Sequence, residues 1–200
     1  MLCAGLTVWS PLVRAGVGKG QQVGVVGLGG LGHFAVMWAN GLGAEVTVIS
    51  HSPHKKADAL ELGAKHFVIS NEKGWAKPLA FKFDFLLNTS DAANKFVLAE
   101  YLSTLKVGRQ FHQVGFPDKP IPDLNPMVFM ANNSSIGASH LGNRLECLDM
   151  LRFAAENKLF PAVETLPIGE KGCAEALERV KRNDVRYRFT LMDYDKALGS

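Results

Sequence analysis

Gly27, Gly29 and Gly32 are the residues of this chain whose type and spacing most directly imply chemistry. With Leu28, Gly30 and Leu31 between them they read G-x-G-x-x-G. In a loop of this kind the first glycine permits a tight turn, and the second lets the backbone approach a pyrophosphate. The third lets a helix pack closely against a strand. The anion then rests on the helix N-terminus, where N–H groups without helical partners and the helix dipole favour negative charge. The pattern follows an apolar, β-branched run, Val23-Gly24-Val25-Val26, and opens good helix material, Phe34 to Ala39. That context makes the loop a dinucleotide-binding fingerprint rather than a glycine-rich turn.

The strand after it, Glu45 to Ser50, selects the cofactor. NAD-binding folds place an Asp or Glu near its end to bond the ribose 2′-hydroxyl. Here the strand runs out through Ser50-His51-Ser52-Pro53-His54-Lys55-Lys56, with no carboxylate between Glu45 and Asp58. Hydroxyls and ammonium groups suit the charge and acceptor oxygens of a 2′-phosphate. The reading is NADP(H).

These residues need a frame to hold them. Beyond the first two strands, His66–Ile69, Phe83–Asn88 and Arg109–Val114 read as three more, and Ser134–Gly137 as a sixth. Helices are predicted over Lys55–Leu62, stopped by Gly63, and over Ala92–Leu105. Pro117 to Pro126 reads as a loop with four prolines. Continuous apolar strands alternating with helices predict an α/β fold with a doubly wound parallel sheet. After residue 143 the rhythm changes to a long helix (Arg144–Asn157), a strand (Ala162–Leu166), a short helix (Cys173–Lys181) and a last strand (Tyr187–Met192). The expected division is 1–143 for the cofactor domain and 144–200 for a separate segment.

Composition excludes several classes. Of 200 residues, 47% are apolar and 20% charged, enough to bury a core and too apolar for disorder. Lys plus Arg number 22 against 19 acids, a net charge of +3 too weak and scattered for a nucleic-acid surface. No apolar run approaches the roughly 18 residues of a membrane span. The opening residues carry no basic stretch followed by an apolar core, so no signal peptide is expected, and the few scattered cysteines fit a reducing, cytosolic setting. Cys3, Cys147 and Cys173 are odd in number and far apart, which gives neither a disulfide framework nor a self-contained zinc site.

Cys3-Ala4-Gly5-Leu6-Thr7-Val8-Trp9-Ser10-Pro11-Leu12 resembles the segment entering the cofactor domain of cinnamyl-alcohol-type medium-chain dehydrogenases. Val26 to His33 is similar to that family's phosphate loop. Val163-Glu164-Thr165-Leu166-Pro167 and Asn183 to Leu191 are similar to fungal, yeast-type NADP-dependent alcohol dehydrogenases of broad specificity.

The resemblance implies a Rossmann-type cofactor domain and reversible hydride transfer between NADPH and an aldehyde or alcohol, aided by a catalytic zinc. It implies that Cys3 is one zinc ligand and that Thr7, one helical turn on, lies beside the nicotinamide. It gives Ser50, His51 and Lys55 to the 2′-phosphate, Thr89 and Gly115 to the cofactor, Ser139 and His140 to the loop holding the carboxamide, and Arg188 to the phosphates. It also implies a homodimer through the edge of the sheet, where Met127, Val128, Phe129, Met130 and Ile136 are apolar.

The family's other zinc ligands, its G-H-E motif and its four-cysteine lobe do not occur in these residues, and residues 144–200 match a segment that returns to the catalytic domain. A catalytic zinc takes three protein ligands, so this chain alone is expected neither to hold zinc nor to oxidise alcohols, and no catalytic residue is assigned. Two alternatives stay open: a non-catalytic NADPH-binding and dimerising module, and a zinc-free quinone reductase of the same superfamily.

Overall fold

Apolar runs too short for helices, rich in Val, Ile and Phe, form the centre of the molecule, because strands covered on both faces have no polar side to alternate with. In the computed structural model, which describes residues 1–91, 96–117, 125–182 and 184–199, these runs are β1 (Gln22–Val26), β2 (Glu45–Ser50) and β4 (Phe83–Asn88), and the more exposed strands β3 (His66–Ile69), β5 (Leu105–Gln113) and β6 (Ser135–Ala138) complete the sheet. Every pairing is parallel. The order is β3-β2-β1-β4-β5-β6, that of a doubly wound dinucleotide-binding sheet. The order reverses between β1 and β4, and the crevice at their carboxyl ends is the switch point where such sheets bind ligands.

Helices α2 (Gly32–Gly41), α3 (Lys56–Glu61) and α4 (Leu98–Ser103) lie between the strands in sequence. One core cluster joins Ile49, Phe83, Leu86, Leu102, Leu105 and Phe111, all fully buried. A second gathers α1 (Ala4–Arg14), α2 and α5 (Arg144–Glu156): the Trp9 ring lies 4.9 Å from Phe153 and 6.0 Å from Trp38. Trp38 Nε1 donates to the Gly5 carbonyl at 3.1 Å, which fixes α2 against α1. Helix α1 continues to Arg14 through Pro11, a residue that ordinarily breaks a helix interior.

The chain forms two compact units, Met1–Leu159 and Phe160–Ser200. The change of rhythm at residue 143 is the N-cap of α5, where Asn143 accepts from the Glu146 N–H and the Glu146 carboxylate accepts from the Asn143 N–H. Helix α5 packs on α1, so the first unit extends to Leu159. In the second unit β7 (Glu164–Pro167) and β8 (Phe189–Met192) pair in parallel across α6 (Glu170–Lys181), and α7 (Tyr194–Leu198) follows. Arg179 joins these elements, donating to Glu164 at 2.7 Å and lying 4.7 Å over the Phe189 ring.

Several boundaries differ from expectation. Residues 92–95 of the predicted helix, and most of the proline loop (118–124), lie outside the described residues. The helix that follows is only Leu98–Ser103, and Leu105 already pairs with Phe83 in β5. Strand β5 therefore starts four residues before the predicted Arg109. It passes through Gly108 at φ +72° and a register shift opposite Phe83–Phe85. Lys106 and Arg109 on this early stretch reach the buried Asp84 at 2.7 and 3.4 Å. Burial works to raise that carboxyl, but the Gln22 N–H, Lys106 and Arg109 hold it below the ordinary aspartate range. In the second unit α6 begins at Glu170 rather than Cys173, and the strands are the shorter β7 and β8.

Candidate functional site

The glycine loop sits at the carboxyl end of β1. Gly27 has φ +85° and donates to the Ile49 carbonyl at 2.9 Å, ending the strand in a turn that L side chains rarely adopt. A Cβ at Gly32 would overlap the Gly27 carbonyl, so the first turn of α2 lies directly against the turn it follows. At Gly29 a Cβ would meet nothing within 4 Å. The three glycines thus do three different things, and Gly29 is the one that leaves open space above the backbone. Leu31 caps α2 without a side-chain hydrogen bond. The backbone and side chain of His33 both lie against the Gly29 carbonyl, at 3.0 and 3.2 Å. Leu28 is buried, and its carbonyl accepts from Lys55 Nζ at 2.8 Å. Gly30 is half-buried.

Ser50 is buried at the tip of β2, with its Oγ accepting from the Ser52 N–H at 3.2 Å. His51 is exposed beside it, its carbonyl accepting from Asn71. Lys55 is half-buried. Burial pushes its ammonium below the usual lysine range, while Asp58 and Asp91 work the other way. A cleft of about 290 Å³ opens between Gly27, Ser50, Ser70, Trp75, Ser90 and Phe96. A larger hollow of about 400 Å³ runs along β3 past Lys56, His66 and Lys82. It contains none of the loop glycines, so the smaller cleft is the one that belongs to the switch point.

Across the switch point the strand ends are laced together. Thr89 Oγ1 donates to the Val26 carbonyl at 2.9 Å, with the Gly27 carbonyl at 3.1 Å. Asn88 Nδ2 donates to Gln113 Oε1 at 2.7 Å, and Gln113 Nε2 donates to the Gly115 carbonyl at 2.8 Å. A Cβ at Gly115 would overlap the Ser90 carbonyl. Ser139, just past β6, donates its N–H to the Gln113 carbonyl at 3.2 Å. His140 is exposed, its ring 5.5 Å from Phe116.

The fold therefore gathers Gly27 to Gly32, Ser50, His51 and Lys55 around β1 and β2, and Thr89, Gly115, Ser139 and His140 at the ends of β4, β5 and β6. Thr7 and Cys3 belong to α1, where Thr7 Oγ1 is turned back to donate to the Cys3 carbonyl at 2.9 Å. Cys3 is exposed. Arg188 lies half-buried in the second unit, immediately before β8. Sequence reasoning did not single out Asn88, Gln113, Ser70 or the aromatic wall of Trp75, Phe96 and Tyr101. Only Ser70, directly after a predicted strand, carried a local signal.

A nucleotide fits this cradle: a Cβ at Gly29 would meet open space, while one at Gly32 or Gly115 would strike backbone. A zinc ion does not. Among the described residues no group of three His, Cys, Asp or Glu side chains is close enough to hold a metal.

The profile of the family "Zinc-binding dehydrogenase" matches residues 30–156. A probable formaldehyde dehydrogenase of Bacillus subtilis is 44% identical over 191 residues, covering 96% of this chain and 53% of that protein. NADP-dependent alcohol dehydrogenase 6 of Saccharomyces cerevisiae is 39% identical over 201 residues, covering 100% of this chain and 55% of its own length. Among solved structures, a cinnamyl alcohol dehydrogenase of Sorghum bicolor superposes with a TM-score of 0.86 at 37% identity, covering 94% of this chain and 52% of that one. The chain spans about half the length of the curated relatives it matches.

Proposed function

This chain belongs to the zinc-binding dehydrogenase family, and from that premise we propose that it is the NADP(H)-binding part of an alcohol dehydrogenase or aldehyde reductase. The observation that carries the reading is the contrast within the glycine loop: open space at Gly29 beside backbone contact at Gly32. Gly27 to Gly32 would receive the pyrophosphate on the first turn of α2. Ser50, His51 and Lys55 would take the 2′-phosphate, since the end of β2 offers a hydroxyl and an ammonium and no carboxylate. The cleft between Ser50, Ser70, Trp75 and Phe96 would hold the adenine. Thr89, Gly115, Ser139 and His140 would line the nicotinamide half, with Thr7 assigned there by family resemblance.

Bound here, the cofactor would supply the hydride that reduces an aldehyde carbonyl. The chain's own contribution is placement. Thr89 ties the turn to β4 by donating to the Val26 carbonyl, and the Asn88–Gln113–Gly115 ladder keeps the ends of β4 and β5 in register. Cys3 is the one residue that matches a family zinc ligand, and among the described residues no group of three metal-binding side chains is gathered.

A cinnamyl-type or aliphatic aldehyde, or the corresponding alcohol, is the proposed substrate. A homodimer through the β6 edge and a cytoplasmic location complete the proposal. Ile136 on that edge is 38% exposed. No helix among the described residues is long and apolar enough to cross a membrane. Residues 144–200 are assigned to the catalytic domain.

Calorimetric titration with NADPH and NADH tests the cofactor. NADPH binds at least tenfold more tightly in the parent, and Ser50→Asp reverses the order by setting a carboxylate against the 2′-phosphate. Equal affinities in the parent contradict the assignment.

A further inference from the structure

His112 is absent from the motifs of the loop, yet its ring bridges two parts of the candidate site. It stands on β5, half-buried, with its centroid 5.9 Å from that of Phe85. Nδ1 lies 3.1 Å from Gln110 Oε1, and Nε2 lies 2.8 Å from Ser139 Oγ. An amide oxygen can only accept, so Nδ1 carries the proton and donates to Gln110. Nε2 is left with its lone pair and accepts from the Ser139 hydroxyl. Burial, with the charge of Arg14 adding to it, holds the imidazole below its ordinary range and keeps it in this neutral form near neutral pH.

Ser139 is the first residue past β6, and two positions later Leu141 turns the chain at φ +59°. The Ser139 N–H makes a long bond of 3.2 Å to the Gln113 carbonyl. The His112–Ser139 bond is the shorter of these two ties between β5 and the segment leaving β6, and the only one made by side chains.

We infer that His112 is a positioning residue for the nicotinamide half of the cofactor, acting through its Nε2 bond to Ser139 to hold the Ser139–Leu141 segment over the carboxyl ends of β5 and β6. The inference rests on the reading that the chain binds NADP(H). In a sheet of this order the two mononucleotide halves lie on opposite sides of the switch point. Ser50 and Lys55, at and just beyond the end of β2, mark the adenosine side. Ser139, beyond β6, lies on the other. Loss of the bond should therefore weaken contacts to one half of the ligand and spare the other.

The experiment titrates the 200-residue chain and its variants with NADPH and with adenosine 2′,5′-bisphosphate, which has the adenosine side and no nicotinamide. His112→Asn keeps an amide near Gln110 but is too short to reach Ser139. His112→Gln places its amide where Nε2 stood. His112→Asn and Ser139→Ala each weaken NADPH binding roughly three- to tenfold, the size of one lost hydrogen bond. The bisphosphate affinity stays unchanged, His112→Gln stays near the parent, and the double variant His112→Asn/Ser139→Ala is no worse than either single one. Unchanged NADPH affinity in His112→Asn overturns the inference. So does parallel loss of both ligands, which marks a merely structural residue, and so does failure of His112→Gln to restore binding. A parent that binds neither ligand overturns the NADP(H) reading itself, and this inference with it.

Discussion

The ammonium of Lys55 lies 2.8 Å from the carbonyl oxygen of Leu28, so the lysine proposed for the 2′-phosphate is tied to the phosphate loop as well. An ammonium has three donors, and one bond to Leu28 leaves others for a phosphate oxygen. The same side chain fixes the loop and, in the proposed complex, would also read the 2′-phosphate.

Replacing this lysine with a neutral side chain of similar length separates the two roles. In Lys55→Met, NADH binding weakens about twofold through the loosened loop. NADPH binding weakens roughly ten- to a hundredfold, because a charge-assisted contact of about 1.5–3 kcal/mol is lost as well. Fluorescence titration with both cofactors reads the difference. Equal losses for NADPH and NADH would assign Lys55 to the loop alone.

The β6 edge predicts association. Among the described residues β6 pairs with β5 alone, which makes its other side an edge of the sheet open to pairing. Met127 and Met130, 63% and 72% exposed, stand in the preceding turn. Val128 and Phe129 instead pack against the core, which accounts for part of the apolar stretch. Light scattering at micromolar concentration should show a dimer in the parent and a monomer in Ile136→Lys. A monomeric parent would contradict the proposed interface.

Acid should loosen α5 from α1. Arg14 donates from Nε and Nη2 to the two Glu146 oxygens at 2.6 and 2.8 Å. The Arg14 bond holds the Glu146 carboxyl below its ordinary value of 4.5, against the opposing effect of burial, with the Asn143 N–H adding to the bond. A depressed folded-state pKa gives stability that is present above the unfolded value and lost as pH falls through the folded one. Glu146→Gln should therefore lower Tm by about 2–4 °C at pH 7 and flatten the acid limb below pH 4.5. Parent and variant melting curves that remain parallel down to pH 3 would show that the pair contributes nothing.

Strands β2, β3 and β4 were legible at their true boundaries because each is a short apolar run bounded by polar or turn residues. The start of β5 was not. Leu105 looks like the end of a helical pattern, and only the neighbouring Phe83 makes it a strand residue. Helix α1 was not among the expected helices: it contains Pro11, a residue that disfavours a helix interior, and Trp9 on it packs against Trp38 and Phe153 from elements distant in sequence. In the site, the glycine loop and Ser50 were readable because their chemistry is local. Asn88 with Gln113, and His112 with Ser139, were not, because their partners are set by which strands become neighbours.

Gly29 and Gly32 offer the most direct test of the loop as a nucleotide cradle. An alanine at Gly32 must displace the Gly27 carbonyl, so Gly32→Ala should cost about 1–3 kcal/mol of stability together with binding. An alanine at Gly29 meets no protein atom within 4 Å and needs no left-handed backbone. The decisive measurement is calorimetric titration of NADPH into the parent chain and Gly29→Ala side by side, with melting curves of both. The account predicts binding in the parent, at least a tenfold loss in Gly29→Ala, and an unchanged Tm. NADPH binding equally tight in the two proteins would contradict it.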